Sequence, residues 1–149
     1  MKVEDMTLDV EQQVEVTADI GDVFKSVLYR FGEGNSRPDG ESLQMVLEPW
    51  AGGRWFRDRG EGVQHLWGHV QVIKQPVLLE MSGPMFMSYP AVNHVEIKLD
   101  PIAGGTKVTL RHRAIGLLDP AHKEGVKTGW RHMLDAVKDD FAESAQGTA

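Results

Sequence analysis

The chain has no cysteine among its 149 residues. That excludes disulfides, thiolate metal sites and a cysteine nucleophile. It also has no apolar run approaching the length of a membrane span, so no integral membrane segment is expected. Met1 to Gln13 is acidic and polar. It lacks the basic start and apolar stretch of a secretory leader, so a cytoplasmic protein is the expectation. Basic clusters are missing too. Sixteen Lys and Arg are scattered against 22 Asp and Glu, a formal charge of −6, which is the wrong balance for a surface that binds nucleic-acid phosphates. No glycine-rich loop with a following Lys-Ser/Thr is present to cradle a nucleotide, and no Gly-x-Ser-x-Gly nucleophile turn occurs. Internal repeats, low-complexity tracts and linkers are likewise absent. What remains is an ordinary globular composition, 41% hydrophobic and 26% charged. It predicts one domain over residues 1–149, with an ordered core of about 6–143 and a frayed end after Glu143.

Against those absences the C-terminal third stands out. Val126, Trp130, Met133, Leu134, Val137 and Phe141 recur at spacings that keep all six on one side of an α-helix. Asp119 can cap that helix and Pro120 fits its first position. A shorter helix is predicted after Asp19, from Ile20, Val23, Phe24, Val27, Leu28 and Phe31, ended by Gly32 and Gly34. Nearly everything else has period two. A first strand is expected over Met6–Thr17, with some irregularity near Gln12-Gln13. Six more follow around Leu43–Glu48, Arg54–Arg59, Val63–Lys74, Val77–Ser82, Val92–Leu99 and Thr106–Ala114. The links between them are too short for helical crossovers, so the sheet should be antiparallel. An α+β fold is predicted, in which a curved sheet buries one apolar face under the long helix.

Several segments resemble a known family. Glu48-Pro49-Trp50-Ala51-Gly52-Gly53-Arg54-Trp55-Phe56 is similar to the Pro-x-x-Gly-Gly-Arg-aromatic turn of the bacterial homologues of the activator of the ninety-kilodalton heat-shock-protein ATPase. Gly68 to Ile73 with Gln75-Pro76, Gly104 to His112, and Gly129-Trp130 with Leu134 resemble three further motifs of that family, in the same order. The resemblance covers about Thr17 to Phe141. It implies the helix-grip fold of the START-like (SRPBCC) superfamily, shared with birch-pollen-type allergens, lipid-transfer domains and polyketide cyclases, with a cavity between sheet and helix. It names no ligand, and a fold does not fix a function.

Candidate cavity-wall residues are Phe24, Leu28, Met45, Trp55, Met81, Val95, Ile97, Leu110, Trp130, Met133 and Val137; the plainer reading is a filled core in which they touch one another. The loop Pro84–Pro90 carries Met85, Phe86, Met87 and Tyr89, and Phe86 and Tyr89 join the candidate wall, as a lid or as a loop tucked under the sheet edge. His112 is in phase with Val108 and Leu110 and should face inward. It is either a core histidine satisfied by a partner, the preferred reading, or a group that meets a ligand. His65 and His69 would share one side of a strand about 13 Å apart, and His122 and His132 would point about 80° apart on the last helix, so no metal site is expected. Arg54 should meet a neighbouring acid or cover apolar surface. Gly125 and Gly129 are costly inside a helix and suggest a close approach to the sheet or a bend.

These readings order three functions. First is a binding module for a small apolar or amphipathic molecule, with no cofactor and no catalytic residue. Second is a cyclase- or hydrolase-like enzyme using His112 with Tyr89 or Arg54, ranked lower because only one titratable group can be placed inward. Third is a chaperone partner, as the family's name suggests, although the additional N-terminal domain of the eukaryotic homologues is not in this chain. A homodimer formed over the Met-rich loop or an edge strand also remains open.

Overall fold

Alternation of buried and exposed residues builds seven strands, and all seven join one antiparallel sheet. The computed structural model describes residues 2–142, so the expectation for Glu143 and the residues after it lies outside the described residues. A 3-10 turn, Val3–Met6, leads into β1 (Thr7–Val16). Then come α1 (Ile20–Phe31), β2 (Met45–Leu47), β3 (Arg54–Asp58), β4 (Gln64–Lys74), β5 (Leu78–Gly83), β6 (Ala91–Ile102), β7 (Gly105–Gly116) and α2 (Pro120–Asp139). The strand order is β1-β7-β6-β5-β4-β3-β2. Strands β2 to β7 form a meander, while α1 carries the chain from one edge of the sheet to the other. This is the helix-grip arrangement, a curved sheet with a long C-terminal helix against it.

Both helices begin as their sequences dictate. The Asp19 carboxylate accepts from the Gly21 N–H at 3.1 Å and the Asp119 carboxylate from the Ala121 N–H at 2.9 Å, each satisfying an otherwise orphaned donor. Helix α2 buries Val126, Trp130, Met133, Leu134 and Val137, roughly 1.5–3 kcal/mol for each fully buried side chain. It lies along β1 and against α1. Three side chains fasten α2 to β1 and to the turn before it. Gln12 donates to the Lys127 carbonyl at 2.9 Å, Arg131 to the Gln13 carbonyl at 3.3 and 3.4 Å, and Lys123 to the Glu4 carbonyl at 3.2 Å. The irregularity expected near Gln12-Gln13 is absent. Strand β1 pairs continuously with β7, and Gln12 interrupts the apolar pattern because its amide reaches the helix backbone.

Two bulges bend the other half of the sheet, one between Trp55 and Phe56 opposite β4, the other between Val70 and Val72 opposite β5. Each shifts the in–out phase of β4. The regular alternation assumed for His65 and His69 therefore does not hold: His65 contacts Trp67, whereas His69 is exposed and pairs with Arg54.

The turn between β2 and β3 explains one sequence motif. Glu48 accepts from the backbone and the guanidinium of Arg54, at 2.8, 2.9 and 3.0 Å. Those bonds hold the Glu48 carboxyl down at about 2. The acid that Arg54 meets is thus Glu48, six residues back, and its guanidinium also lies 4.7 Å over the Phe56 ring. Gly52 sits at φ +83° in open space, whereas a β-carbon on Gly53 would overlap the Glu48 carbonyl oxygen. We expect Gly52→Ala to cost about 1 kcal/mol through its left-handed backbone and Gly53→Ala about 3 kcal/mol or more through the clash. Urea unfolding of both variants measures the difference, and equal costs would contradict this account of the turn.

Candidate functional site

The aromatic residues of the interior form a closed circuit. Phe31 of α1 packs on Trp55 of β3 (ring centroids 5.3 Å) and on Trp130 of α2 (5.8 Å). Trp55 meets Trp67 of β4 edge-on at 5.1 Å, and Trp67 meets Phe86 at 5.5 Å. Phe86 faces His112 of β7 at 6.4 Å, and His112 closes the circuit on Trp130 at 5.7 Å. Edge-to-face and tilted pairs of this kind are the favoured aromatic geometries.

Polar atoms inside this circuit are all accounted for. The Trp55 indole N–H donates to the Phe31 carbonyl at 2.7 Å. The Trp130 indole N–H donates to His112 Nδ1 at 2.9 Å. Indole has no acceptor, so Nδ1 must be unprotonated and the proton sits on Nε2, which donates to Asn93 Oδ1 at 2.7 Å. The Asn93 amide in turn donates to the Gly83 and Pro84 carbonyls at 3.2 Å each and lies 3.5 Å from Met87 Sδ. His112 is fully buried. Burial, and then the nearby His94, push its pKa down to about 4. His112 is a neutral hydrogen-bond relay with both ring nitrogens spent inside the protein.

Beside the circuit lies a cavity of about 320 Å³, between α2, the segment after α1 and the bent half of the sheet. Trp55, Trp67, Phe86, Trp130, Val126, Met133 and Leu43 supply apolar wall. Gly34, Asn35, Ser36, Arg37 and Pro38 form one side. Ala121, His122, Gly125, Gly129, His132 and Ala136 form the helical side, and Arg30 stands at one end. Arg30 is tied to Asp140 through two hydrogen bonds and to the Gly34 carbonyl at 3.2 Å, and Ser26 also donates to Asp140 at 2.7 Å. Burial alone would raise the Asp140 carboxyl; the bonds from Arg30 and Ser26 outweigh it and hold the carboxyl below its usual range. This cluster fixes the segment after α1 against the end of α2. His132 lies 3.4 Å from the Ser36 hydroxyl. His122 stacks on Tyr89 and shares a 2.8 Å hydrogen bond with its hydroxyl. Asn35 is only 7% exposed, yet its side-chain amide has no hydrogen-bond partner among the described residues.

Four of the residues proposed from sequence reach this wall: Trp55, Phe86, Trp130 and Met133. Phe24, Met45, Met81, Val95, Ile97, Leu110 and Val137 lie in the closed core, and Leu28 packs against it half-buried. The reason is α1, which contacts β2, β6, β7 and α2 and fills the space over the middle of the sheet. The hollow survives beside α2, from Ala121 to Ala136. Tyr89 stands behind His122, and His112 behind Phe86 and Trp130. The loop after β5 is tucked in, with Met85 and Met87 buried and Phe86 turned to the cavity. His122 and His132, poor joint ligands by angle, both border the hollow. Among the described residues no three His, Asp or Glu side chains converge to hold a metal ion. Trp67, Asn93 and Asn35 went unnoticed in the sequence. Asn93 had a usable signal, since it shares the inward phase of Val95 and Ile97.

The linkage of His112 to folding is open to measurement. Its folded pKa lies near 4 and its unfolded value near 6.5, so the unfolded chain binds the extra proton. The neutral ring's contribution is complete above about pH 6.5 and drains away as pH falls toward 4, at most about 3 kcal/mol. The depressed carboxyls of Glu48 and Asp140 act below that window. Urea unfolding between pH 7.5 and 4.5 should show a decline that His112→Gln flattens. Equal slopes in both proteins would refute it.

The family model described as Activator of Hsp90 ATPase homolog 1-like protein matches residues 39–141. No curated protein matches the chain. In structure the chain is similar to a protein of Chromobacterium violaceum (TM-score 0.70, 15% identity, covering 88% of this chain and 94% of that one). It is similar also to a protein of Mesorhizobium loti (TM-score 0.66, 14% identity, 88% and 94%). The di-domain ARO/CYC StfQ of the steffimycin biosynthetic pathway matches at TM-score 0.66 and 14% identity, over 97% of this chain and 53% of StfQ. At such identities the likeness is one of fold.

Proposed function

We propose that this chain, which belongs to the Activator of Hsp90 ATPase homolog 1-like family, binds a small amphipathic molecule in the cavity beside α2. The observation that carries the reading is the hollow of about 320 Å³ faced by three tryptophans, Phe86 and Met133. Its size is at the lower end of small-molecule sites, and apolar walls with a few polar groups are what such sites have.

The polar groups around the hollow narrow the ligand's chemistry. Arg30, Arg37, His122 and His132 border it, together with Asn35 and Ser36, and among the described residues no carboxylate does. Arg30 is paired with Asp140 and Arg37 with Asp39 and Glu41, so the polar rim is close to neutral and favours a ligand with a hydrogen-bonding head over a fully charged one. Binding is preferred to catalysis because the residues considered for acid–base work are engaged apart from one another. His112 is committed to Asn93 and Trp130, Arg54 to Glu48 and Tyr89 to His122.

Para-hexylphenol is a suitable probe, with an apolar body and one hydroxyl. Titration should quench the intrinsic fluorescence saturably, with a dissociation constant at or below about 100 µM. Trp50→Phe should leave the quenching amplitude intact, because Trp50 is exposed and away from the wall. Native mass spectrometry should show a one-to-one adduct. Linear, unsaturable quenching and no adduct would end the proposal.

A further inference from the structure

Gly125 and Gly129 occupy the interior of a twenty-residue helix, where glycine is the least stabilising residue short of proline. A reason for keeping them is therefore needed. Glycines elsewhere in the chain have a steric one: a β-carbon at Gly68 would crowd the Ser82 carbonyl, and one at Gly105 the Val16 carbonyl. Neither reason suggested by the sequence applies in α2. No close approach exists, because a β-carbon at either position would meet no heavy atom within 4 Å. No break exists, because α2 runs without interruption from Pro120 to Asp139. Both glycines are solvent-exposed and border the cavity, with Ala121 and Ala136 continuing the row at one and two turns' distance. Across the hollow stands Asn35, more than nine-tenths buried and with its amide unpartnered. Its amide atoms are not among the sealed-off unpaired atoms of the interior, so they are free to bond the polar end of a ligand in place of solvent.

We infer that Gly125 and Gly129 are specificity-determining residues, whose missing side chains leave the space in which the ligand's apolar body lies along the helix backbone while its polar end meets the Asn35 amide. The inference rests on the binding function proposed above. It adds that the helix gives up stability at two positions to admit a longer ligand. Methyl groups there would shorten the usable hollow without disturbing any packing contact.

The test compares Gly125→Ala, Gly129→Ala and the double variant with the unaltered protein, using para-alkylphenols of butyl, hexyl and octyl chain length. The double variant should melt about 4 °C higher. It should bind the octyl compound at least about tenfold more weakly while its affinity for the butyl compound changes less than about threefold. Unchanged octyl affinity in a variant that melts higher would overturn the role of the glycines and leave the binding function standing. A lower melting temperature would overturn it as well, since packing would then be what requires glycine. Failure of the unaltered protein to bind any of the three compounds would remove both the inference and the function beneath it.

Discussion

The indole N–H of Trp130 can only donate, and on that single constraint the interior is organised. It fixes the tautomer of His112, which fixes the direction of the bond to Asn93, which leaves the Asn93 amide to hold the Gly83 and Pro84 carbonyls. One chain of hydrogen bonds thus joins α2 to β7, β6 and the loop that follows β5. Each member is buried, so removing one strands its neighbour without water as a substitute, and such networks define one arrangement more strictly than apolar packing does. The network also sets where Phe86 stands, because its loop is held at Pro84 and Met87.

From there the hollow follows. Helix α2 is pinned to the sheet through Trp130 and, further along, through Leu134 and Val137, while α1 fills the space over the central strands. On the side of α2 that faces the segment after α1, the helix offers only Ala121, Gly125, Gly129 and Ala136 between its larger residues. The Arg30–Asp140–Ser26 cluster keeps that segment from collapsing onto the gap. The space is therefore a product of small residues on one wall and a tethered chain on the other, backed by aromatic rings that already satisfy one another.

Much of this was readable from residue order. Period-two alternation located all seven strands, and the Val126-to-Val137 stripe with Asp119-Pro120 located α2, because burial on one face leaves a periodic trace. Gly-Gly-Arg located the turn before β3. The site was harder for a physical reason. Trp67 is the extra residue of the first bulge, and a bulge erases the periodic trace, so nothing in the spacing says that its ring turns inward. Asn35 and Ser36 belong to an irregular segment brought to α2 by tertiary structure alone. Met81, Val95, Ile97 and Leu110 were rightly read as inward-facing, but inward is not the same as facing a void. Which part of the interior α1 fills depends on how it crosses the sheet, and its own sequence records only that it has a buried face.

The bonds between α2 and β1 have a bearing on self-association. A sheet of this order has two open margins, and an open margin is where a foreign strand can attach. At β1, the side chain of Arg131 takes the carbonyl of Gln13, Lys123 takes that of Glu4 in the turn just before the strand, and cationic side chains there discourage a newcomer. At the other margin β2 is three residues long, too little to template a neighbour. The terminal helix, besides walling the hollow, shields one flank of the sheet against polymerisation, and the brevity of β2 does the same for the other.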